Sequence, residues 1–289
     1  MSDPIYPSAA IAISISVVFG LSNHIQHIAL DHMDVRTGTI VNVGTSMLLL
    51  WLLSPLFLVP QSLGSHSAML FAIAGLIVPA VSISFATLSV KTIGPGLTAG
   101  LSATSPVFAM VVALMFLGET VTGPILVGTL IVIFGIMVIA LRSQRTGANW
   151  PLWALGLPLV AALSRGISHP IVKVGLTDLP SPMTAALVSS TVSSMVLATI
   201  HVASRRSLPA WNNGYLWFGL CGIFNGIGIT GLGYALQLGE VVVVSPLVAT
   251  TPAFTLLMGH YIFRRETINW PSVAAIAIIF IGSLLIMTR

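Results

Sequence analysis

The chain has 289 residues, of which 56% are hydrophobic and only 6% are charged. Soluble domains carry about 25% charged residues, so this composition excludes a soluble globular protein and indicates an integral membrane protein. The net charge of +4 is spread over short loops, without a basic run of the kind that binds nucleic acid. The one cysteine, Cys221, excludes an internal disulfide and has no metal-ligand spacing around it.

Ten apolar segments follow one another along the chain, separated by short breaks rich in turn-forming residues. Because a spanning helix needs about 20 mostly apolar residues, we expect ten transmembrane helices. They are predicted at 8–30, 37–60, 67–90, 95–117, 121–141, 151–176, 182–203, 211–237, 241–263 and 268–287. The first ten residues lack the basic region of a cleaved signal peptide, so we expect the first helix to be retained.

The sequence repeats itself about half a chain apart. ATSPVFAMVVALMFLGET at 103–120 resembles ATTPAFTLLMGHYIFRRET at 249–267, with Ala-Thr-x-Pro-x-Phe and Glu-Thr recurring in the same order. The offset is about 146 residues. In the front halves, SNHIQH at 22–27 aligns with SRGISH at 164–169. This alignment predicts that His27 lies opposite His169 and that Asn23 lies opposite Arg165.

Each predicted repeat holds five helices, and five is an odd number. The second copy must therefore cross the membrane upside down relative to the first. Inverted repeats with binding sites near the membrane midplane are typical of secondary transporters. We expect two repeats, 1–146 and 147–289, that form one integrated membrane domain of the all-α class around a central cavity.

These features resemble the EamA family of the drug/metabolite transporter (DMT) superfamily. The resemblance rests on the two five-helix repeats, on Pro106 and Pro252 in the fourth helix of each repeat, and on a glutamate that ends that helix. It covers nearly the whole chain and implies a ten-helix carrier in the cell inner (cytoplasmic) membrane that exports amino acids or other small metabolites. The stretch RRET at 264–267 departs from the family pattern, which usually has glycine before the glutamate.

A polar stripe crosses the sixth helix, in SRGISHPIVK at 164–173. Arg165, His169 and Lys173 follow one another at intervals of four residues. Each interval rotates the side chain by only about 40° beyond a full helical turn, so the three side chains lie along one helix face. Lys173 is near the helix end and can extend to the interface, so we give it less weight. Pro170 is expected to kink the helix within the stripe.

No acidic residue lies inside a predicted helix, so a buried salt bridge to Arg165 is hard to build. Arginine at mid-membrane is costly and normally faces the bundle interior or a water-filled cavity. Arg165 therefore predicts a binding site for a carboxylate, which guanidinium holds through paired hydrogen bonds. The alternative is that main-chain carbonyls satisfy it. The missing acids also argue against a proton-coupled carrier of organic cations.

The first helix offers Asn23, His24 and His27. Asn23 and His27 share a face, and histidine titrates near neutral pH. We therefore predict substrate contacts from Asn23, His27 and His169, and proton coupling through His24, His27 or His169. The alternative is that each imidazole is neutral and satisfied by a neighbouring helix.

The eighth helix is rich in glycine and also carries amides. The resemblance places this helix beside the cavity, which makes Asn225, Tyr234 and Gln237 candidates for substrate binding. Gly226 belongs either to a close-packed face or to a gate helix that bends. The gating or kink positions are predicted at Pro106, Pro252, Pro170 and Gly226.

The sequence thus predicts a secondary transporter that moves amino acids or other carboxylate-bearing compounds by alternating access, in the export direction. No catalytic residues, metal site or cofactor are expected, and the partners expected are a small anionic or zwitterionic substrate and membrane lipid, with a monomeric chain. The alternatives are a channel or scramblase, and an intramembrane enzyme. The enzyme reading has little support, because no helix offers paired aspartates, a metal cluster or a phosphate loop.

Basic residues are strongly biased to one side of the predicted membrane domain. The loops after the first, third, fifth, seventh and ninth helices carry most of them: Arg36, Lys91, Arg142, Arg145, Arg205, Arg206, Arg264 and Arg265. The other side has only Arg289 and, at a helix end, Lys173. The positive-inside rule then places these loops in the cytoplasm and both termini outside, whereas similar proteins usually have both termini inside.

A pair of C-terminal fusions tests this orientation. Alkaline phosphatase should be active and green fluorescent protein dark, because a C-terminus outside the cytoplasm permits phosphatase folding only. The reverse pattern would place the termini inside and contradict the charge bias.

Overall fold

The computed structural model describes residues 5–93, 95–142, 151–204, 209–264 and 268–288. Within these ranges the chain is helical and contains no strand. The helices are Ile5–Ala29 (α1), Val35–Leu53 (α2), His66–Leu76 (α3), Ser84–Ile93 (α4), Pro95–Ser102 (α5), Ser105–Val112 (α6), Gly123–Arg142 (α7), Gly156–Asp178 (α8), Pro182–Ala203 (α9), Asn213–Leu238 (α10), Val241–Val248 (α11), Thr251–Tyr261 (α12) and Trp270–Met287 (α13).

The ten predicted spans are confirmed in the described part of the chain. Nine segments there are apolar and long enough to cross a membrane. The tenth runs through α3, the π-helical segment Ile77–Ile83 and α4. The second helix is shorter than predicted and ends at Leu53. Two 3-10 turns follow, each with a proline in its first turn, where the missing N–H is tolerated.

Two spans are broken near their middles. The fourth span divides into α5 and α6, and the ninth into α11 and α12. Pro106 and Pro252 each lie in the first turn after the break, so the predicted symmetric irregularities are helix breaks. At Pro170 there is no such break, because α8 continues through it to Asp178. The predicted kink at this proline stays a prediction.

Equivalent glycine contacts reveal the internal repeat. A Cβ atom added to Gly20 of α1 would lie 3.3 Å from Phe254 Cβ of α12. A Cβ added to Gly166 of α8 would lie 2.6 Å from Phe108 Cβ of α6. The differences 166 minus 20 and 254 minus 108 are both 146. The two halves therefore make the same close contact in exchanged roles, as an inverted repeat requires.

This offset corrects the predicted alignment of the front halves. Asn23 lies opposite His169, not Arg165, and Phe19 lies opposite Arg165. The predicted pairing of His27 with His169 is therefore wrong by one helical turn. The short match of Ser, Ile and His at an offset of 142 was a coincidence between polar residues on similar helices.

Glycine packing also explains the contact between the last helix of each repeat. A Cβ on Gly128 of α7 would approach Gly282 O of α13 to 2.6 Å, and a Cβ on Gly135 would approach Ala275 O to 3.0 Å. These two helices therefore pack closely on each other. α7 also packs on α5 and α12, so this pair of helices supports the broken spans.

The long helix α10 is continuous and packs closely through its glycines. A Cβ on Gly222 would meet Asn42 O at 2.4 Å, and one on Gly228 would meet Phe19 Cε1 at 2.4 Å. Gly226 has more room, with its nearest contact at 3.5 Å. The structure therefore supports close packing of the glycine-rich helix, and no break marks Gly226 as a hinge.

The broken helices pack differently at the two ends of the bundle. We call face A the side on which α1 begins and face B the side on which it ends. Near face A, α6 packs against α11, and Val241–Val244 are at most 1% exposed. Near face B, the symmetry-related segments diverge, since α5 packs on α4, α7 and α8 while α12 packs on α1 and α7. The bundle is therefore closed at face A and open at face B.

Glu119 holds the closed face together across the two repeats. Its carboxylate accepts the N–H groups of Val241 at 2.9 Å and Val242 at 3.0 Å, the first turn of α11. A negative charge there also suits the positive end of the helix dipole. Gly118 precedes it with φ 66°, a left-handed conformation that glycine adopts readily and that turns the chain back towards α11.

Lys173 supports the same connection from α8. Its ammonium donates to Leu236 O at 2.6 Å and to Gly239 O at 2.8 Å, at the carboxyl end of α10. Glu119 and Glu240 attract this ammonium. We call Glu119 and Lys173 the face A clasp. The side chain that was expected to extend into the interface thus binds main-chain oxygens instead.

Loss of the clasp should expose the cavity to face A. We expect Glu119→Ala to raise the rate at which a membrane-impermeant maleimide, applied at face A, labels Val172→Cys. The rise should be about tenfold, since two hydrogen bonds to a charged group are removed. Asp178→Asn, which removes an exposed acid near the same face, is the matched control and should not change the rate. Unchanged labelling in Glu119→Ala would contradict a closing role.

The clasp should also respond to pH. Burial raises the pKa of Glu119 above its ordinary value, although the Val241 and Val242 N–H groups oppose the shift. The charged, clasping form exists above this raised pKa and is lost as the pH falls through it. The reacting thiolate becomes scarcer as the pH falls, so each rate is divided by that of a freely exposed cysteine at the same pH. This normalised labelling of Val172→Cys should accelerate on acidification, at a less acidic pH than an exposed glutamate would give. In Glu119→Ala this acceleration should be absent.

Candidate functional site

A cavity of about 580 Å³ lies between the two repeats. Its volume is in the range of small-molecule sites, about 300–1,000 Å³. Residues from all but the last transmembrane span line it, and most of the lining is apolar. Its charged or polar lining includes Asn23, Ser102, Arg165, His169, Ser189 and Asn225. The buried ends of α10 and α11 close it towards face A, whereas Asn23 at the other end is exposed.

Arg165 is the cation of this cavity. It projects from the middle of α8, and its Nε is buried without a hydrogen-bond partner. Among the described residues its guanidinium makes no ion pair, and no carboxylate lines the cavity. Since an unpaired buried charge is costly, the arrangement favours a negatively charged guest. The main-chain carbonyls expected under the alternative interpretation do not satisfy Nε.

His169 lies one turn beyond Arg165 on the same helix face. Its Nδ1 is 3.1 Å from the hydroxyl of Ser245 on α11, so the imidazole links α8 to the closed part of the ninth span. Ser245 is 3% exposed. The other ring nitrogen remains for a guest or a proton. The chain therefore brings Arg165 and His169 together in the cavity, as the stripe predicted.

Two amides on the opposite side of the cavity are held by neighbouring helices. Asn225 donates from Nδ2 to Asn42 Oδ1 at 3.1 Å, and Asn23 donates from Nδ2 to Thr255 Oγ1 at 3.2 Å. Asn42 in turn donates to Cys221 Sγ at 3.1 Å. These bonds fix the orientation of the amides that face the cavity.

Four predicted site residues lie outside the cavity lining. His24 is buried, with Nε2 2.6 Å from Thr255 O and its ring stacked on Phe263. His27 is exposed, and Tyr234 is 41% exposed on the outer side of α10. Gln237 donates to Pro180 O at 3.2 Å, at a helix connection. Only one side of each helix can face the cavity, and these four side chains lie on other sides of their helices.

The predicted gating positions also divide. Pro252 lines the cavity directly after the break in the ninth span, whereas Pro106, Pro170 and Gly226 do not. Pro106 and Pro170 are buried between helices, so they shape the bundle and do not contact the cavity. Their gating role stays a prediction.

A row of hydroxyls on α9 was missed by the sequence analysis. Ser189 donates to Phe71 O at 2.9 Å, Ser190 to Ala186 O at 2.6 Å and Ser193 to Gly75 O at 2.9 Å. With their protons used, these oxygens can only accept hydrogen bonds from a guest. The sequence offered little signal, because hydroxyls in membrane helices commonly bond to the backbone. Within the described ranges no three His, Cys, Asp or Glu residues cluster as metal ligands.

Several of the basic residues used for the orientation prediction, and the Glu266-Thr267 repeat match, lie outside the described residues. These basic residues are Arg145, Arg205, Arg206, Arg265 and Arg289. The described Arg36, at face B, donates to Ile200 O at 3.1 Å and to the hydroxyl of Ser204. It therefore caps the carboxyl end of α9 and takes no part in the cavity.

Comparisons with known proteins agree with this architecture. The EamA-like transporter family matches twice, at residues 7–141 and 152–288. A solved structure described only as the crystal structure of a protein superposes with a TM-score of 0.79 at 14% identity, covering 97% of this chain and 95% of that one. That likeness concerns the fold alone. The comparison with curated proteins gave no match. The two family matches span nearly the whole chain, which therefore belongs to the EamA-like transporter family, a family of multi-pass membrane transporters in the DMT superfamily.

Proposed function

We propose that this protein is a secondary transporter of small carboxylate-bearing metabolites, with amino acids as the favoured substrates. It works by alternating access in the cell inner membrane, and the net direction is export. The single observation that carries the proposal is the buried Arg165 Nε in the wall of a mostly apolar cavity, which has no hydrogen-bond partner among the described residues.

The carboxylate is proposed to bind the Arg165 guanidinium. Arginine matches a carboxylate geometrically, since its planar group donates two parallel hydrogen bonds. A low-dielectric wall strengthens this attraction relative to water. His169, one turn away and bonded to Ser245, is the proposed second donor to the carboxylate or the carrier of a coupled proton.

The ammonium of an amino acid is proposed to meet the α9 hydroxyls. Ser189, Ser190 and Ser193 use their protons on main-chain oxygens, so they offer lone pairs only. Such a row suits a donor with several N–H groups, as an ammonium is. This accounts for cation binding without an acidic residue.

The asymmetry of the broken helices supports alternating access. In the symmetry-related state, α5 would pack on α12 at face B while α6 separates from α11 at face A. If basic residues mark the cytoplasmic side, face B is cytoplasmic and the described cavity is open to cytoplasmic substrate. That state is the one in which an exporter loads.

Arg165→Ala tests the proposal. We expect affinity for transported amino acids, measured by ligand-induced thermal stabilisation and counterflow in proteoliposomes, to fall about tenfold to a hundredfold, since a charged hydrogen-bond partner is lost. The melting temperature of the ligand-free protein should be unchanged or higher, because the variant removes an unpaired buried charge. Arg165→Lys should also weaken binding.

Arg36→Ala is the matched control, because it removes a guanidinium from face B outside the cavity. It should leave affinity unchanged. Unchanged affinity in Arg165→Ala would remove Arg165 from the site. Non-saturable flux of solutes or lipids in the wild-type protein would indicate a channel or scramblase instead of a carrier.

A further inference from the structure

The cavity places a phenyl ring where the internal symmetry would place a second guanidinium. Phe19 of α1 and Arg165 of α8 both line the cavity. They are 146 residues apart, the same offset that relates the Gly20 and Gly166 contacts. The two side chains therefore occupy equivalent positions on opposite sides of the pseudo-twofold axis.

The Phe19 ring is held in its position. It lies on the α10 backbone, where a Cβ on Gly228 would come within 2.4 Å of Phe19 Cε1. The ring cannot move further towards α10, so it stays as a wall of the cavity. The ring carries no charge and no N–H or O–H group, and its face is electronegative, so it offers an anion neither a salt bridge nor a conventional hydrogen bond.

The same difference recurs at other equivalent positions in the lining. Across the repeat, the apolar Ala99 corresponds to Ser245 at the offset of 146. In the third and eighth spans the offset is 147, because Gly75 against Ser189 O and Gly222 against Asn42 O are equivalent contacts. The apolar Val78 therefore corresponds to Asn225. Asn23 corresponds to the ionisable His169. Ser102 opposite Val248 is the reverse case, but it involves no charge. All the positive charge that the cavity lining holds thus comes from the second repeat, within the described residues.

We propose that the cavity accepts substrates with a single carboxylate and rejects those with two, and that Phe19 determines this specificity. The inference rests on the proposed function. One carboxylate pairs with Arg165, and the remainder of the substrate, which is apolar or neutral, lies against Phe19. A second carboxylate would be desolvated beside a phenyl ring without a partner, which binding sites reject strongly.

Leucine and glutamate provide the test, because they have similar size and differ by one carboxylate. The measurement is competition by each against counterflow of labelled leucine in proteoliposomes, with thermal stabilisation of the purified protein as the binding readout. The wild-type protein should prefer leucine by at least about tenfold. 4-Methylpentanoate and glutarate repeat the comparison without the ammonium.

Phe19→Arg should reverse the preference, since it supplies a second guanidinium at the symmetric position. We expect glutamate to gain at least about tenfold relative to leucine. Phe19→Leu, which keeps an apolar wall, is the control and should preserve the wild-type order. Phe19→Gln, a smaller change that adds a donor, should shift the ratio in the same direction as Phe19→Arg and serves if the arginine variant does not fold.

The outcomes separate the two proposals. A wild-type protein that takes leucine and glutamate equally, or a folded Phe19→Arg that keeps the wild-type ratio, would overturn the role of Phe19 and leave the transport proposal intact. A wild-type protein that binds and moves no carboxylate in either series would overturn both.

Discussion

The architecture depends on two close helix contacts, one made by Gly20 against α12 and the other by Gly166 against α6. Lipid provides no hydrophobic drive between helices, so close approach of small residues stabilises membrane bundles. These contacts press the second half of each broken span, α12 or α6, onto a helix of the other repeat. The helix ends created at the breaks are thereby buried in protein, where irregular backbone is tolerated. The cavity is the space left between the two contacts.

Two cations on one helix show how position decides the role of a charge. Lys173 reaches main-chain oxygens at the end of α10 and is attracted by Glu119 and Glu240. Arg165, two turns earlier, has no such oxygens within reach of Nε. The Lys173 ammonium is bound by the groups that close face A, whereas the Arg165 guanidinium remains available to a ligand. A single polar stripe on α8 thus links the closing of one face to the chemistry of the cavity.

The fold was largely predictable from the sequence, because the ten apolar segments and the ordered Ala-Thr-x-Pro-x-Phe repeat can be recognised without knowing how the helices pack. The Arg165 and His169 pair was also predictable, since a charged side chain in a membrane helix normally faces the bundle interior or a water-filled cavity. The rotation of each helix about its own axis was not predictable. In the structure this rotation places Tyr234 and Gln237 outside the cavity lining. Phe19 was missed because an apolar residue gives no chemical signal. Only the corrected offset of 146 identifies it as the counterpart of Arg165.

The unequal pair of Phe19 and Arg165 requires two repeats of different sequence, which this single polypeptide supplies. A homodimer of a single five-helix unit would carry the same residue at both positions, either two rings or two guanidiniums. Within one chain the two copies differ at this site, while Gly20 and Gly166 keep the shared geometry. In the proposed carrier, a substrate with one carboxylate therefore has one preferred orientation, whereas two identical repeats would offer two orientations of equal energy.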